Sequence, residues 1–410
     1  MSSALPNRID LHQDATKDRS EYPGGSTRRI HQTRASSVFT VCFTLPYART
    51  KITGIGRFVS DLSRKLRAFE VASIVLAPSA PGTLDDYSIR LTGRFLLNLQ
   101  LGFRTLGTMA RLRRQFHILH AQHTHFQSLL GCFAARVFHK PFLLTLHGRV
   151  PDPPGLARMI IHRLTERLTV QLSTKVVAVS PYVSQIFSRY RTDIKLIENG
   201  VDIEVFRRDD NKRAQVRHEL GIGTELTFIF AGRLAASKGV HLLLRAINSP
   251  KLEKHRFVLL LVGEPDLHDP SLLEQLRASE ALSRVRIIGP TSESLADYLS
   301  AADVFVLPSE YEGMPLGLLE AMSVGLPALV SDIPVNRMII ERAGSGWTFR
   351  CGDAGDLAKA MDTILTDGIP ANSFVRSRTA VVRSNNLEDE ACRYYSIYEE
   401  LLRNQELPTA

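Results

Sequence analysis

The stretch "SEYEGMPLGLLEAMSVGLPALVSD", residues 309–332, carries two carboxylates, Glu312 and Glu320, with seven residues between them. Glu312 follows a strand-like run and stands next to Gly313, with Pro315 close behind; Glu320 lies one or two turns into a helix-like run. Two cations, Arg233 and Lys238, follow a different strand-like run in "AGRLAASKG", residues 231–239. Arginine offers a planar fork to anionic oxygen, and lysine a compact point charge. His147 ends the run "PFLLTLHG", and Gly54 and Gly56 follow the apolar run 37–45. Acids, cations, a histidine and glycines therefore recur at the ends of strand-like segments, which raises the question of what ligand needs them there.

The elements that must hold these residues alternate. Strands are expected at 37–45, 71–77, 116–122, 141–147 and 174–180, with helices at 96–114 and 126–138 between them and a glycine-bearing loop running into an amphipathic helix after residue 46. The run 194–202, "IKLIENGVD", ends the first half, and polar text at 207–224 reads as a linker. The pattern then restarts: strands at 226–232, 256–263, 285–289, 303–309 and 327–332, and helices at 239–248, 271–280, 293–301 and 315–325. Strand–helix alternation implies a parallel sheet covered on both faces, and the restart implies two of them. In such sheets ligands bind beyond the carboxyl ends of the strands, where the residues named above fall. The expected division is a disordered polar tail at 1–36, an acceptor-side domain at 37–205, a donor domain at 206–385, and a C-terminal helical segment at 386–410 packing back on the first domain.

Composition narrows the class. A chain of 410 residues exceeds what one core supports, and 44% hydrophobic with 23% charged residues is that of an ordinary globular protein. The four cysteines show no paired spacing, so reduced thiols are expected in place of a disulfide or zinc scaffold. No signal peptide and no 18-residue apolar run is visible, and a cytoplasmic location follows as the expectation. Charge is uneven: residues 1–205 hold 28 Lys and Arg against 14 Asp and Glu, whereas residues 206–410 hold 23 against 28. A basic half of this kind suits an anionic partner such as phosphate or a membrane surface. Arg111, Arg113 and Arg114 beside "FLLNLQLGF" raise the idea of a peripheral membrane helix, the alternative being a core-packed helix with one basic face. No nucleic-acid motif accompanies the charge. His120, His123 and His125 have no helical i, i+4 pair and no nearby Cys or Glu, so no metal site is expected from them.

"AGRLAASKG" and "PSEYEGMPLGLLEAMSVGLPALVSD" resemble the donor half of a retaining glycosyltransferase of family 4, and "TGIGRFVSDL", "TLHG" and "IENGVDIEVF" resemble pieces of its acceptor half. The resemblance covers roughly residues 38–404 and implies the α/β GT-B fold, two Rossmann-like doubly wound domains facing a cleft. It implies transfer of a sugar from a nucleotide diphospho-sugar, UDP- or GDP-linked, to a hydroxyl of a glycan or lipid-linked acceptor in polysaccharide or glycolipid assembly. It further implies Arg233 and Lys238 on the diphosphate, with the backbone of Gly313, Met314, Pro315 and Leu316 at a helix start beside it. Glu320 would accept the ribose hydroxyls, and Glu312 would lie at the donor sugar. His147 is similar to the family histidine near the sugar's C6 hydroxyl, and Gly54 to the glycine that lets backbone pass the diphosphate. No Asp-x-Asp is present and no metal or other cofactor is expected. Two departures stand out: "VGEPDL" where the family often has Gly-x-Gly, and Thr53-Gly54 in place of a glycine pair. The alternatives on the same fold are a nucleotide-sugar epimerase, which needs no acceptor, and a non-catalytic nucleotide-sugar-binding protein.

Overall fold

A computed structural model describes residues 39–45, 54–78, 88–89, 97–149, 152–153, 155–266, 269–280, 283–289 and 294–406. The expected tail at 1–36 and Thr53 lie outside the described residues. The described residues divide into two compact units: Val201–Asn386 forms one, and residues 39–200 together with the chain from Leu387 form the other.

The N-terminal unit is built from β1 (Phe39–Thr44), α1 (Gly54–Leu66), β2 (Val71–Pro78), β3 (Ser88–Ile89), α2 (Leu97–Leu112), β4 (Ile118–Ala121), α3 (Phe126–Val137), β5 (Phe142–Leu146), α4 (Leu156–Leu172), β6 (Lys175–Ala178), α5 (Pro181–Phe187) and β7 (Lys195–Leu196). Its seven strands are parallel in the order β3-β2-β1-β4-β5-β6-β7. The central strands are buried along their length, as sheets covered on both faces require. The last helix of the chain, α14 (Leu387–Glu406), returns to this unit and packs against α1. It inserts Tyr394 and Tyr398, both fully buried. The Tyr398 hydroxyl lies 2.8 Å from His120 Nδ1, and His120 Nε2 lies 2.7 Å from Thr145 Oγ1. Burial holds His120 well below its ordinary pKa. His120 is thus a neutral core histidine satisfied by two hydroxyls.

The other unit comprises α6 (Asp210–Glu219), β8 (Leu226–Ala231), α7 (Val240–Ile247), β9 (Phe257–Val262), α8 (Pro270–Glu280), β10 (Val285–Ile288), α9 (Leu295–Ala301), β11 (Val304–Leu307), α10 (Leu316–Val324), β12 (Ala328–Ser331), α11 (Pro334–Ala343), β13 (Trp347–Phe349), α12 (Ala354–Asp367) and α13 (Ser373–Ser384); α14 (Leu387–Glu406) follows. Its six strands are parallel in the order β10-β9-β8-β11-β12-β13, the doubly wound arrangement with one reversal of strand order, between β8 and β11.

The polar text read as a linker is a helix instead. Asp209 caps α6 by accepting from the Asn211 and Lys212 N–H groups. Its anchors are charged: Arg213 donates to the carbonyls of Ser300, Ala301 and Ala302, the end of α9, and pairs with Asp303 at 2.7 Å. Arg217, almost fully buried, donates to the carbonyls of Gly223, Glu225 and Ala301. Cations on the carbonyls of a helix end also complement its dipole. Arg217→Leu leaves those buried carbonyls without donors, a cost on the order of 3 kcal/mol. Urea unfolding is expected to show a lower midpoint for this variant, with the far-UV spectrum at zero denaturant unchanged; an unshifted midpoint would show that α6 is not an anchor.

Candidate active site

Strand order reverses between β8 and β11, the place at the carboxyl edge where open α/β sheets form their ligand crevice, and the loops that follow these two strands meet there. After β8 the chain passes Gly232 and Arg233 and closes a short 3₁₀ turn, Ala236–Lys238. Gly239 ends that turn at φ 71°, in the left-handed region. A Cβ at Gly239 would sit 2.0 Å from the Pro308 carbonyl oxygen, so only glycine lets this turn close on the residue that follows β11. That approach sets Lys238 against the next loop: its Nζ lies 2.7 Å from Glu312 Oε1. Lys238 keeps a third of its side chain exposed (34%), while that of Glu312 is 10% exposed. The ammonium therefore neutralises an almost buried carboxylate and still presents donors at the surface of the crevice.

A second glycine welds the neighbouring loop. Gly263, at φ 149°, would place a Cβ 1.9 Å from the Gly232 carbonyl oxygen. The pairing of β8 with β9 continues beyond it: the Leu234 N–H donates to Glu264 O at 2.8 Å, and the Asp266 N–H to Leu234 O at 2.9 Å. The Gly-Glu-Pro tract that departs from the expected glycine pair thus extends the ladder. Arg233 is left on the rim, its side chain 60% exposed, with Asp266 at 3.8 Å.

The helix expected near Pro315 begins one residue later than read. Leu316 is the first helical residue of α10, and Pro315 is its cap, at φ −75° and ψ 107°. The ring fixes φ near that value, and the missing N–H is one that no helix would use. No side chain caps α10, so the N–H groups of its first turn and the positive end of its dipole face the carboxyl edge of the sheet. Gly317 draws that turn onto the end of β8, where a Cβ would be 3.2 Å from the Ala231 carbonyl oxygen. Gly313 and Met314 are buried beneath it, and Glu320, in the second turn of α10, is 2% exposed. Ser309, given no role in the sequence reading, has a buried Oγ without a hydrogen-bond partner between β11 and Glu312. Its carbonyl accepts from Ser331 Oγ at 2.5 Å, which pins the loop to the end of β12.

His147 and Gly54 belong to the N-terminal unit, on its own carboxyl edge. Gly54 opens α1 and does not sit in a loop before it; a Cβ there would meet nothing within 4 Å. His147 Nε2 lies 2.9 Å from Gln122 Oε1, just beyond β4, and its ring meets Phe58 of α1 edge-on at 4.6 Å. The amide oxygen only accepts, so Nε2 carries the proton and Nδ1 is left as an acceptor. Burial brings the His147 pKa down from 6.5 to about 3, so the ring is neutral at pH 7. Gln122 was missed by sequence reasoning because nothing in "HILHAQ" marks it as a partner of a residue on the next strand. In the other unit, Asp202 accepts from the Glu204 and Val205 N–H groups and turns the chain, a structural role. Among the described residues, no group of three or more His, Cys, Asp and Glu side chains is placed to hold a metal ion, and all four cysteines are free thiols.

The structure therefore joins Lys238 to Glu312 and gathers Arg233, Gly313, Met314, Pro315, Leu316 and Glu320 on the same edge of one unit. Two outcomes follow. Gly239→Ala forces the turn off Pro308 and is expected to lower the melting temperature and to move Lys238 away from Glu312, readable as a lost coupling between the two side chains in a double-mutant cycle of Lys238→Met with Glu312→Gln; an undiminished coupling in the Gly239→Ala background would contradict the steric account. The His147 pKa is depressed in the folded state, so the unfolded chain binds the extra proton as pH falls below 6.5. Stability is fully present above that pH and drains between 6.5 and about 3. His147→Gln is expected to lose less stability than the native chain between pH 7 and pH 5, measured by denaturant unfolding at each pH; equal losses would place the histidine in water.

Comparison with known proteins adds the following. Residues 212–379 match the family "Glycosyl transferases group 1", and residues 52–205 match "Glycosyltransferase Family 4". The chain is 25% identical over 304 residues to the UDP-Gal:alpha-D-GlcNAc-diphosphoundecaprenol alpha-1,3-galactosyltransferase of Escherichia coli, covering 72% of this chain and 78% of that one. Among solved structures it is similar to sucrose-phosphate synthase from Thermosynechococcus elongatus, with a TM-score of 0.76, 21% identity, and coverage of 89% of this chain and 100% of that one. It is also similar to Anabaena HepE in complex with UDP-glucose, with a TM-score of 0.71, 18% identity, and coverage of 88% and 100%.

Proposed function

The chain belongs to the family 4 glycosyltransferases of the GT-B fold and is a sugar-transferring enzyme, and from that premise we propose that its donor is a nucleotide diphospho-sugar held at the β8–β11 crevice. The observation that carries the reading is Lys238 locked to Glu312 at 2.7 Å beside the uncapped start of α10. A diphosphate leaving group gains negative charge as the glycosidic bond breaks. Preorganised cations and helix N–H groups stabilise that charge and lower the barrier by a few kcal/mol. Lys238 can share its ammonium between Glu312 and a phosphate oxygen, because it carries three donors. Arg233, on the rim, supplies a second cation. No metal is required for this, and we assign none.

Glu320 is assigned to the ribose hydroxyls and Glu312 to the donor sugar, whose hydroxyls its second carboxylate oxygen can accept. His147, neutral and with Nδ1 as acceptor, is assigned to a sugar hydroxyl, and the Gly54 backbone to the diphosphate. Retention of configuration, by attack of the acceptor hydroxyl from the face the nucleotide leaves, is the stereochemical course we adopt from the resemblance. The acceptor is a hydroxyl on a glycan or a lipid-linked sugar; the E. coli relative named above acts on a lipid diphosphate sugar, and the N-terminal half of this chain is strongly basic.

The test is a screen of UDP- and GDP-sugars by thermal shift and by slow donor hydrolysis, with Lys238→Met, Glu312→Gln and Glu320→Gln alongside. One donor class is expected to raise the melting temperature of the native enzyme, and Lys238→Met to lower turnover on the order of a hundredfold or more. Stabilisation by a sugar nucleotide with no hydrolysis or transfer in any assay would favour the binding-protein alternative. Conversion of the donor sugar without an acceptor would favour the epimerase.

A further inference from the structure

Four large aliphatic side chains of α4 stand in solvent: Leu156, Ile160, Ile161 and Leu164 are each between 53% and 70% exposed. At 3.6 residues per turn they form one stripe about 140° wide. The inward face of the same helix is polar: Thr165, Glu166 and Thr169 are buried together with Val170. Glu166, the one carboxylate of α4, is turned inward and pairs with Arg149 and Arg189. No carboxylate of α4 itself thus faces outward, the neighbouring Asp152 is paired with Arg163, and two exposed arginines flank or extend the stripe, Arg158 and Arg167. The inverted pattern has no packing reason within the unit, since an amphipathic helix ordinarily turns its apolar stripe to the core.

We propose that this face of α4 is the surface by which the enzyme docks on an anionic lipid bilayer, the helix lying in the interfacial plane. Apolar side chains would enter the headgroup region while the arginines reach anionic phosphate. A second copy of the chain is disfavoured as the occupant. A two-fold contact sets the same patch against itself and would bring Arg158 and Arg167 against their own copies without an acid between. The surface is coupled to the candidate active site through the segment that links them. Arg149, two residues after His147, is tied to Glu166 of α4 at 3.4 Å, and Asp152 is tied to Arg163. Docking through α4 would therefore tie Arg149, two residues after His147, to the membrane-bound helix. Helix α2, the other candidate, packs on α3, where the buried Thr105 Oγ1 accepts from Gln127 Nε2. The inference deepens the reading of the acceptor as lipid-linked and is independent of the donor's base.

The experiment is co-sedimentation of the full chain with vesicles of phosphatidylcholine alone and of phosphatidylcholine with phosphatidylglycerol, at low and high salt. Donor-induced thermal shift is measured on the same samples. Two variants accompany it, the triple Leu156→Ser, Ile160→Ser, Leu164→Ser and the double Arg158→Gln, Arg167→Gln. Binding to the anionic vesicles is expected, weakened at least tenfold by the triple variant and about fivefold per arginine by the double. The donor response should be unchanged in both. Absence of native binding, or binding that the triple variant leaves intact, overturns the proposal while leaving the transferase reading in place. Equal binding to neutral vesicles, or native dimers that the triple variant converts to monomers, also overturns it. Loss of the donor response in the native chain would instead sink the donor reading.

Discussion

Lys238 and Glu312 meet at the one place in the C-terminal sheet where strand order reverses, and most of that unit's edge is arranged to let them meet. The contact is set by backbone before it is set by charge. Gly239 can press on the Pro308 carbonyl only because it has no side chain, and Gly263 presses on Gly232 in the same way. Between them these two approaches hold three loops within hydrogen-bonding reach. A carboxylate as buried as Glu312 is costly without a partner, and an ammonium whose other donors stay available satisfies it without being spent. The same edge receives the uncapped end of α10, drawn in by Gly317. A cation, an oriented acid and a row of N–H groups are therefore fixed before any ligand arrives, which is what stabilisation of a leaving diphosphate asks of a protein.

The N-terminal unit uses a different economy. Its histidines are neutral: His120, in the core, is satisfied by Tyr398 and Thr145, and His147, at the carboxyl edge, is held by Gln122 and covered by Phe58. Burial keeps both uncharged near neutrality, so His147 offers this edge a hydrogen-bonding group and no charge. The return of α14 completes the N-terminal core, because Tyr394 and Tyr398 come from residues beyond the second unit.

How much of this could be read from sequence depended on whether an element announced itself by apolar pattern. The buried strands did, since "FIFAG" and "VFVLPS" are continuous apolar runs ended by small residues. The donor-side residues were legible because each follows such a run. Helix α6 was not: Val216 is its one buried aliphatic residue, and it is anchored by Arg213 and Arg217 on carbonyls distant in the chain. Helix α4 was passed over for the opposite reason, since its aliphatic residues face outward and its buried face is Thr and Glu. The two-residue strands β3 and β7 carry too little pattern to find. Gly239 was quoted in its motif, yet its contact with Pro308 is a fact of tertiary distance that no local spacing encodes.

The central claim is that Lys238 recognises the diphosphate of the donor. It is tested most directly by calorimetric comparison of a nucleoside with its diphosphate, in the native enzyme and in Lys238→Met. The account predicts that the native protein binds the diphosphate far more tightly than the nucleoside, and that the substitution narrows this gap on the order of tenfold while leaving nucleoside binding unchanged. An undiminished gap in Lys238→Met would contradict the account and leave the Lys238–Glu312 pair as a strut of the fold.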